Sequence, residues 1–308
     1  MDSWQPLVSV ILPCYNVEKY IAKAVQSILE QTYENLEVVF VDDASLDGTR
    51  NILDTFTDKR IVRYYFEENR RKIGAVNEVI PLCKGELICF QDGDDWSEVD
   101  RIEKQVSAFK ANPNLGICFT GFEIFDEEGV LKHKPQVMPA TDLEIKNAFL
   151  NFGKSGSDIK GYITCATMMV RKPLLEKTKG YHSYFFGKPG EDIFLVYQIV
   201  KQHESVAITK ALYKIVRSTG SFTDDQAKGI NIKSVYIWNV ISKLIAHDQA
   251  GVNLLDPENR ELLLEQELIS CEEALRATLE DVNNYKMSTS YKVGKIIVKQ
   301  FSFLKKLK

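Results

Sequence analysis

The chain has no run of 18 apolar residues, so no transmembrane helix is expected. Its first residues hold neither a basic stretch nor an apolar core, so no signal peptide is expected. None of the six cysteines, at 14, 83, 89, 118, 165 and 271, forms a C-x-x-C pair, and most lie within apolar runs. That argues against a disulfide framework or a zinc site and fits buried, reduced thiols in a cytoplasmic protein. Internal repeats and long low-complexity stretches are absent. A large net charge is absent too: 43 acidic residues face 39 basic ones, for a net of −4. This argues against nucleic acid as a partner.

The bulk composition, 44% hydrophobic and 27% charged, belongs to a folded globular chain rather than a disordered one. A chain of 308 residues can bury a full core in one large or two moderate domains. The charge is unevenly placed. From Val282 to Lys308 there are seven Lys and no Asp or Glu, which leaves the rest of the chain at −11. An acidic body with a basic tail is expected.

Short β-branched apolar runs at Leu7–Pro13, Leu36–Val41, Ile61–Phe66 and Glu86–Gln91 read as strands. The first two suit strands buried on both faces. Helical spacing follows the first run at Ile21, Val25 and Ile28, with Asn16 as the expected cap. Another helix is expected over Ile73–Cys83. This alternation implies an α/β fold with an open, mainly parallel sheet flanked by helices. Beyond residue 115 a hairpin is expected around Glu127, a helix near 141–150, a strand over Ile163–Val170 and a helix over Asp192–Lys201. Beyond Lys228 the pattern is almost wholly helical.

Ligands of open α/β sheets bind beyond the carboxyl ends of the strands. Three strands here end in polar chemistry: Pro13-Cys-Tyr15-Asn16, Asp42-Asp43 and Asp92-Gly93-Asp94-Asp95. Like charges gathered at one edge need a compensating cation or hydrogen-bonding ligand. A hard divalent ion completed by phosphate oxygens fits, which points to a nucleoside diphosphate. The plain alternative is that such aspartates cap helices and turns, and Asp47 is expected to do so.

The order of these blocks decides between the two. Val8-Ser-Val-Ile-Leu-Pro-Cys-Tyr-Asn, Glu37-Val-Val-Phe-Val-Asp-Asp, Lys84-Gly-Glu-Leu-Ile-Cys-Phe-Gln-Asp-Gly-Asp-Asp-Trp96 and Gly190-Glu-Asp192 resemble the inverting nucleotide-sugar glycosyltransferases of family 2. The resemblance covers roughly residues 6–222. It implies a GT-A fold, Rossmann-like, here with a helical C-terminal extension. It also implies a catalytic domain over 1–225, with a nucleotide-sugar half at about 1–96 and an acceptor half at 97–225. Residues 226–308 form the extension.

Carried over by position, the resemblance places Pro13, Tyr15, Glu18, Asp42, Ser45, Asn77, Asp92, Gly93 and Arg217 at the nucleotide sugar. Asp94 and Asp92 would hold Mn²⁺ or Mg²⁺. Asp95 would stand behind them or cap a helix. Asp192 would be the general base for an acceptor hydroxyl, with Glu191 as its rival. A single displacement would give inversion. A UDP-sugar is the expected donor, and a glycan or lipid-linked acceptor in bacterial surface polysaccharide synthesis the expected target.

Two family elements are altered. Where Ala-Arg-Asn-x-Gly is usual, this chain has Ala75-Val76-Asn77-Glu78-Val79. Arg70, Arg71 and Lys72 are candidates for the missing positive charge, or else a solvated basic turn. The late Tyr-Arg-x-His-x-x-Ser element reads Tyr213-Lys-Ile-Val-Arg217-Ser-Thr-Gly-Ser221. Arg217 could clamp a diphosphate or form a structural ion pair. The alterations motivate an alternative, a catalytically impaired binding or scaffold protein. A nucleotidyltransferase is a third reading, but the first loop has no glycine.

Two helical stripes complete the sequence. Leu264, Leu268, Cys271, Leu275, Leu279 and Val282 form a heptad-like face, expected to pack on the body or to pair a homodimer through 258–284. Over 291–307, Val293, Ile297, Phe301 and Leu304 oppose Lys292, Lys295, Lys299 and Lys306. Such a helix suits an anionic inner-membrane surface, or docking on the acidic body.

Overall fold

A computed structural model describes residues 4–133, 141–153, 165–217 and 232–284. The chain divides into two units, Met1–Asn151 with Ser155–Arg217, and Phe152–Lys154 with Ser218–Lys308. The segment 291–307 lies outside the described residues.

The first unit is built on strands β1 (Val8–Cys14), β2 (Leu36–Asp42), β3 (Ile61–Tyr65) and β4 (Leu87–Phe90). They are parallel, in the spatial order β3-β2-β1-β4. The crossovers carry α1 (Ile21–Leu29), α2 (Thr49–Asp54) and α3 (Arg71–Val79). α1 buries Ile21, Ala24, Val25 and Ile28, the helical stripe seen in the sequence. α3 stops sooner than expected. Pro81 has no N–H to continue it, and Ile80–Leu82 tighten into a 3-10 turn.

The chain leaves β1 toward β2 and β3, then returns to the other side of β1 as β4. That reversal is the switch point where α/β sheets bind ligands. The β1–β4 ladder ends at the Ile11–Phe90 pair, so Pro13 lies where the two strands part.

Beyond β4 the sheet becomes mixed. β5 (Trp96–Ser97) lies at the far edge, followed in the chain by α4 (Arg101–Ala111). β6 (Leu115–Asp126) and β7 (Leu131–His133) make the expected hairpin. α5 (Asp142–Leu150) starts with a Thr141–Glu144 capping box. Next come β8 (Met169–Arg171), α6 (Lys172–Thr178), α7 (Glu191–Val200) and β9 (Glu204–Arg217). β8 is antiparallel to β4 and β6, while β9 is parallel to β6 and carries β5.

Two expectations are corrected here. Asn16 does not cap α1, which starts at Ile21. It adopts a left-handed φ of 53° and accepts the Leu46 N–H at 2.8 Å. Of the strand expected over 163–170, residues 163–164 lie outside the described residues, Cys165–Thr167 form a 3-10 turn, and only the part from Met169 is strand, as β8. The Ala166 and Thr167 carbonyls accept instead from the buried side chains of Arg101 and Gln105.

The second unit contains α8 (Ile232–Gln249) and α9 (Arg260–Asn284). Their contact includes a Lys243–Glu273 ion pair at 2.6 Å. The α9 face expected to be buried is partly open: Leu264, Leu268 and Leu279 are 52%, 62% and 44% exposed. Ser270, Ala274 and Thr278 form the buried row instead. Spacing alone fixes a stripe but not which neighbouring stripe packs. Among the described residues, no helix is long and apolar enough to cross a membrane.

Candidate active site

The loops after β1 and β2 are locked together. Asn16 N–H donates to Ser45 Oγ at 3.0 Å, and Val17 N–H to Thr49 Oγ1 at 2.9 Å. Glu18 N–H donates to Asp47 Oδ2 at 3.1 Å, and Glu18 Oε2 accepts from Gly48 N–H at 2.7 Å. Glu18 and Ser45, expected at the donor, thus hold the loops to each other. Asp47 also accepts from Thr49 N–H at 3.0 Å, just ahead of α2, close to its expected capping role. Tyr15 stands on this cradle with 46% of its surface exposed.

Asp42, at the end of β2, is fully buried. Its Oδ2 pairs with Arg50 at 2.9 Å, and Arg50 also donates to the Phe66 carbonyl. Oδ1 is buried without a hydrogen-bond partner. An unsatisfied buried acceptor costs about 1–3 kcal/mol, so Asp42 Oδ1 is a natural place for a ligand N–H.

Asp92, Gly93 and Asp94 follow β4. A Cβ at Gly93 would come within 3.2 Å of the Pro13 carbonyl and 3.3 Å of Cys14 Sγ, so glycine lets this loop close on the end of β1. The Cys14 thiol is raised by its burial and then by Asp42, Asp92 and Asp94, which places it within electrostatic reach of all three. Asp94 is pushed up to about 6, first by burial and then by Asp92.

Lys72, in the first turn of α3, places Nζ 2.6 Å from Asp92 Oδ1. It alone of the three basic candidates reaches the carboxylates. Arg70 pairs with Glu78 and lies 4.4 Å from the Phe66 ring, and Arg71 lies 5.4 Å from the Phe186 ring.

Glu191 and Asp192 open α7 behind Gly190, whose φ of 92° favours glycine. Burial, then Asp192, pushes Glu191 up to about 7, and Lys72 opposes this. Burial also raises Asp192. Its Oδ1 accepts the Ile193 N–H at 2.7 Å, and Lys72 and Asp92 act on it with opposite sign. Lys72 therefore lies among both groups, the Asp92–Asp94 pair and the Glu191–Asp192 pair.

Three further residues named in the sequence are placed as follows. Asn77 uses both ends of its amide on Tyr181, donating to the carbonyl at 2.7 Å and accepting the N–H at 2.8 Å. It anchors the loop leading to α7 rather than facing a donor. Asp95 does not cap a helix; it is buried within electrostatic reach of Asp94 and Asp92 and accepts the Val216 N–H at 2.8 Å. Arg217 ends β9 opposite Asp126, with its Nε buried and without a hydrogen-bond partner.

Among the described residues, no group of three or more His, Cys, Asp or Glu side chains is arranged to hold a metal ion. The donor set still fits a hard cation of the kind that takes one or two carboxylates and completes its shell with phosphate oxygens. Burial first and then the neighbouring Asp92 raise Asp94, against the pull of Lys72.

Residues 9–177 match the family described as "Glycosyl transferase family 2". The chain belongs to that family. Among its family 2 relatives, Bacillus subtilis EpsE, described as a putative glycosyltransferase, is 32% identical over 222 residues, covering 70% of this chain and 75% of EpsE. Bacillus subtilis TuaG, described as a putative teichuronic acid biosynthesis glycosyltransferase, is 36% identical over 156 residues. That match covers 49% of this chain and 61% of TuaG. The fold is similar to Staphylococcus aureus TarS 1–349 in complex with UDP-GlcNAc, with a TM-score of 0.59 at 19% identity over 85% of this chain and 72% of TarS. It is also similar to the mannosyltransferase PcManGT of Pyrobaculum calidifontis in complex with GDP-Man and Mn²⁺. There the TM-score is 0.55 at 19% identity, over 98% of this chain and 81% of PcManGT.

Proposed function

We propose that this family 2 chain is a divalent-metal-dependent inverting glycosyltransferase. It moves a sugar from a nucleotide-diphospho-sugar, a UDP-sugar, to a hydroxyl of a glycan or lipid-linked acceptor in bacterial surface polysaccharide synthesis. The observation that carries the reading is the gathering of two carboxylate pairs around Lys72.

The residues divide the work. Asp42 Oδ1 accepts the uracil N3–H, Tyr15 offers a ring to the base, and Pro13 and Gly93 shape the cleft between β1 and β4. Asp92 and Asp94 would hold Mn²⁺ or Mg²⁺, which neutralises the leaving diphosphate when bound. Lys72 and Arg217 add positive charge toward the phosphates. Asp192 takes the proton of the acceptor hydroxyl. Its place at the α7 N-terminus favours the carboxylate and holds it still. Glu191, its rival, is read as the neighbour rather than the base. One displacement on an α-linked donor gives a β-linkage.

The setting is the cytoplasmic face of the cell membrane, with segment 291–307 meeting anionic lipid. The open leucine row Leu264, Leu268 and Leu279 is the surface for a second copy.

Asp192→Asn tests the central claim. Transfer is expected to fall at least 10³-fold while UDP binding by calorimetry stays within twofold. Retained transfer in that variant, with loss in Glu191→Gln, would assign the base to Glu191. A thermal-shift panel of nucleotide sugars with Mn²⁺ identifies the donor.

A further inference from the structure

The turn at 91–97 carries Asp92 and Asp94 forward, but it is fixed from behind by residues far away in the sequence. Burial alternates along it: Gln91, Gly93, Asp95 and Ser97 are buried, whereas Asp92, Asp94 and Trp96 are half-buried. Tyr213, fully buried on β9, accepts the Asp92 N–H with its hydroxyl at 2.9 Å. The Asp95 carboxylate, close enough to Tyr213 to feel it electrostatically, accepts the Val216 N–H of the same strand at 2.8 Å. The first and last aspartates of the turn are therefore tied to one strand, Asp92 by the Tyr213 hydroxyl and Asp95 by the Val216 N–H.

Arg101 holds the other side of this strut. Its guanidinium lies 4.7 Å from the Tyr213 ring centroid, a cation–π distance. It donates to the Phe90 carbonyl at 3.0 Å, the Ala166 carbonyl at 2.9 Å, Gln91 Oε1 at 3.2 Å and Ser97 Oγ at 2.9 Å. Both ends of the turn are thereby fixed to a buried cation. Neither Tyr213 nor Arg101 is placed against a substrate or a reacting atom.

We infer that Tyr213 is a positioning residue whose hydroxyl, holding the Asp92 N–H while Asp95 holds the Val216 N–H of the same strand, sets the spacing of the Asp92 and Asp94 carboxylates that receive the metal–diphosphate group. The inference rests on the reading under Proposed function. Two carboxylates can share one cation only at a short, fixed separation, and a turn of five residues has many shapes. Partners of this kind that orient ligating groups are worth about 10–100-fold in metal affinity when removed.

Tyr213→Phe keeps the ring over Arg101 and deletes only the hydroxyl. UDP binding is measured by calorimetry with Mn²⁺ and with EDTA, and folding is followed by thermal melting. The expected result is an affinity about tenfold weaker with Mn²⁺ and within twofold of wild type in EDTA. Asp95→Asn should show the same split, and it carries the test if Tyr213→Phe does not fold. Equal losses with Mn²⁺ and EDTA would mean a general structural role and overturn the inference. An unchanged Mn²⁺-supported gain would overturn it too. A wild-type chain whose UDP binding ignores Mn²⁺ would instead overturn the metal-dependent reading on which the inference stands.

Discussion

A base beside a phosphate-binding cleft needs enough affinity to take a proton and must still be charged when the acceptor arrives. Under the proposed function Lys72 would set that compromise, because it lowers both Glu191 and Asp192 against the rise caused by burial. Lys72→Met should move the acidic limb of the kcat/KM profile to higher pH and raise the donor KM, read from pH–rate profiles at saturating Mn²⁺. An unmoved limb would separate Lys72 from the base. At this scale the sequence spoke unevenly. Asp42, Asp92, Asp94 and Asp192 could be named singly as candidates because each lies at or just beyond a strand end or starts a helix in a recognisable block. Lys72 could be named only as one of three basic residues, since α3 alone decides which of three neighbours points at Asp92. The partner of Asn77 was illegible for the same reason: its amide serves Tyr181, 104 residues away.

Elements with a strong local signal were read well, and those shaped by long-range partners were not. The apolar runs of β1, β2 and β4 are self-declaring because both faces are buried. β9 was missed, although it is 14 residues long. Its register against β6 shifts near Thr120, Gly121 and Phe122, so exposed Thr209 and Lys210 break the alternation that marks a strand. Gly121 is the residue that permits the shift. A Cβ there would meet the Thr209 carbonyl at 2.7 Å and the Lys210 carbonyl at 2.9 Å. Gly121→Ala should therefore destabilise the chain by about 1–3 kcal/mol, seen as a lower denaturation midpoint. A neutral result would mean that the shift tolerates a side chain.

For the molecule as a whole, the site's charge makes stability depend on pH. Asp94 at about 6 and Glu191 at about 7 both lie above their ordinary carboxylate values. The native state then binds more protons than the unfolded chain between about pH 4 and 7, so stability falls as pH rises through that window. Asp58, lowered to about 2, acts in the opposite sense only at more acid pH. Metal-free protein should melt higher at pH 6 than at pH 8, by roughly 2–4 °C, and Asp94→Asn should reduce the slope. A slope unchanged in Asp94→Asn would place its origin elsewhere. The acidic balance of the body was plain from composition, but its concentration at one cleft depends on strand order, which no local stretch of sequence states. The reciprocal bonds between residues 16–18 and 45–49 bear on affinity. Order that is already present in the empty protein need not be created when a nucleotide arrives. Under the proposed function, a nucleotide that docks on these loops loses little of its binding energy to ordering them.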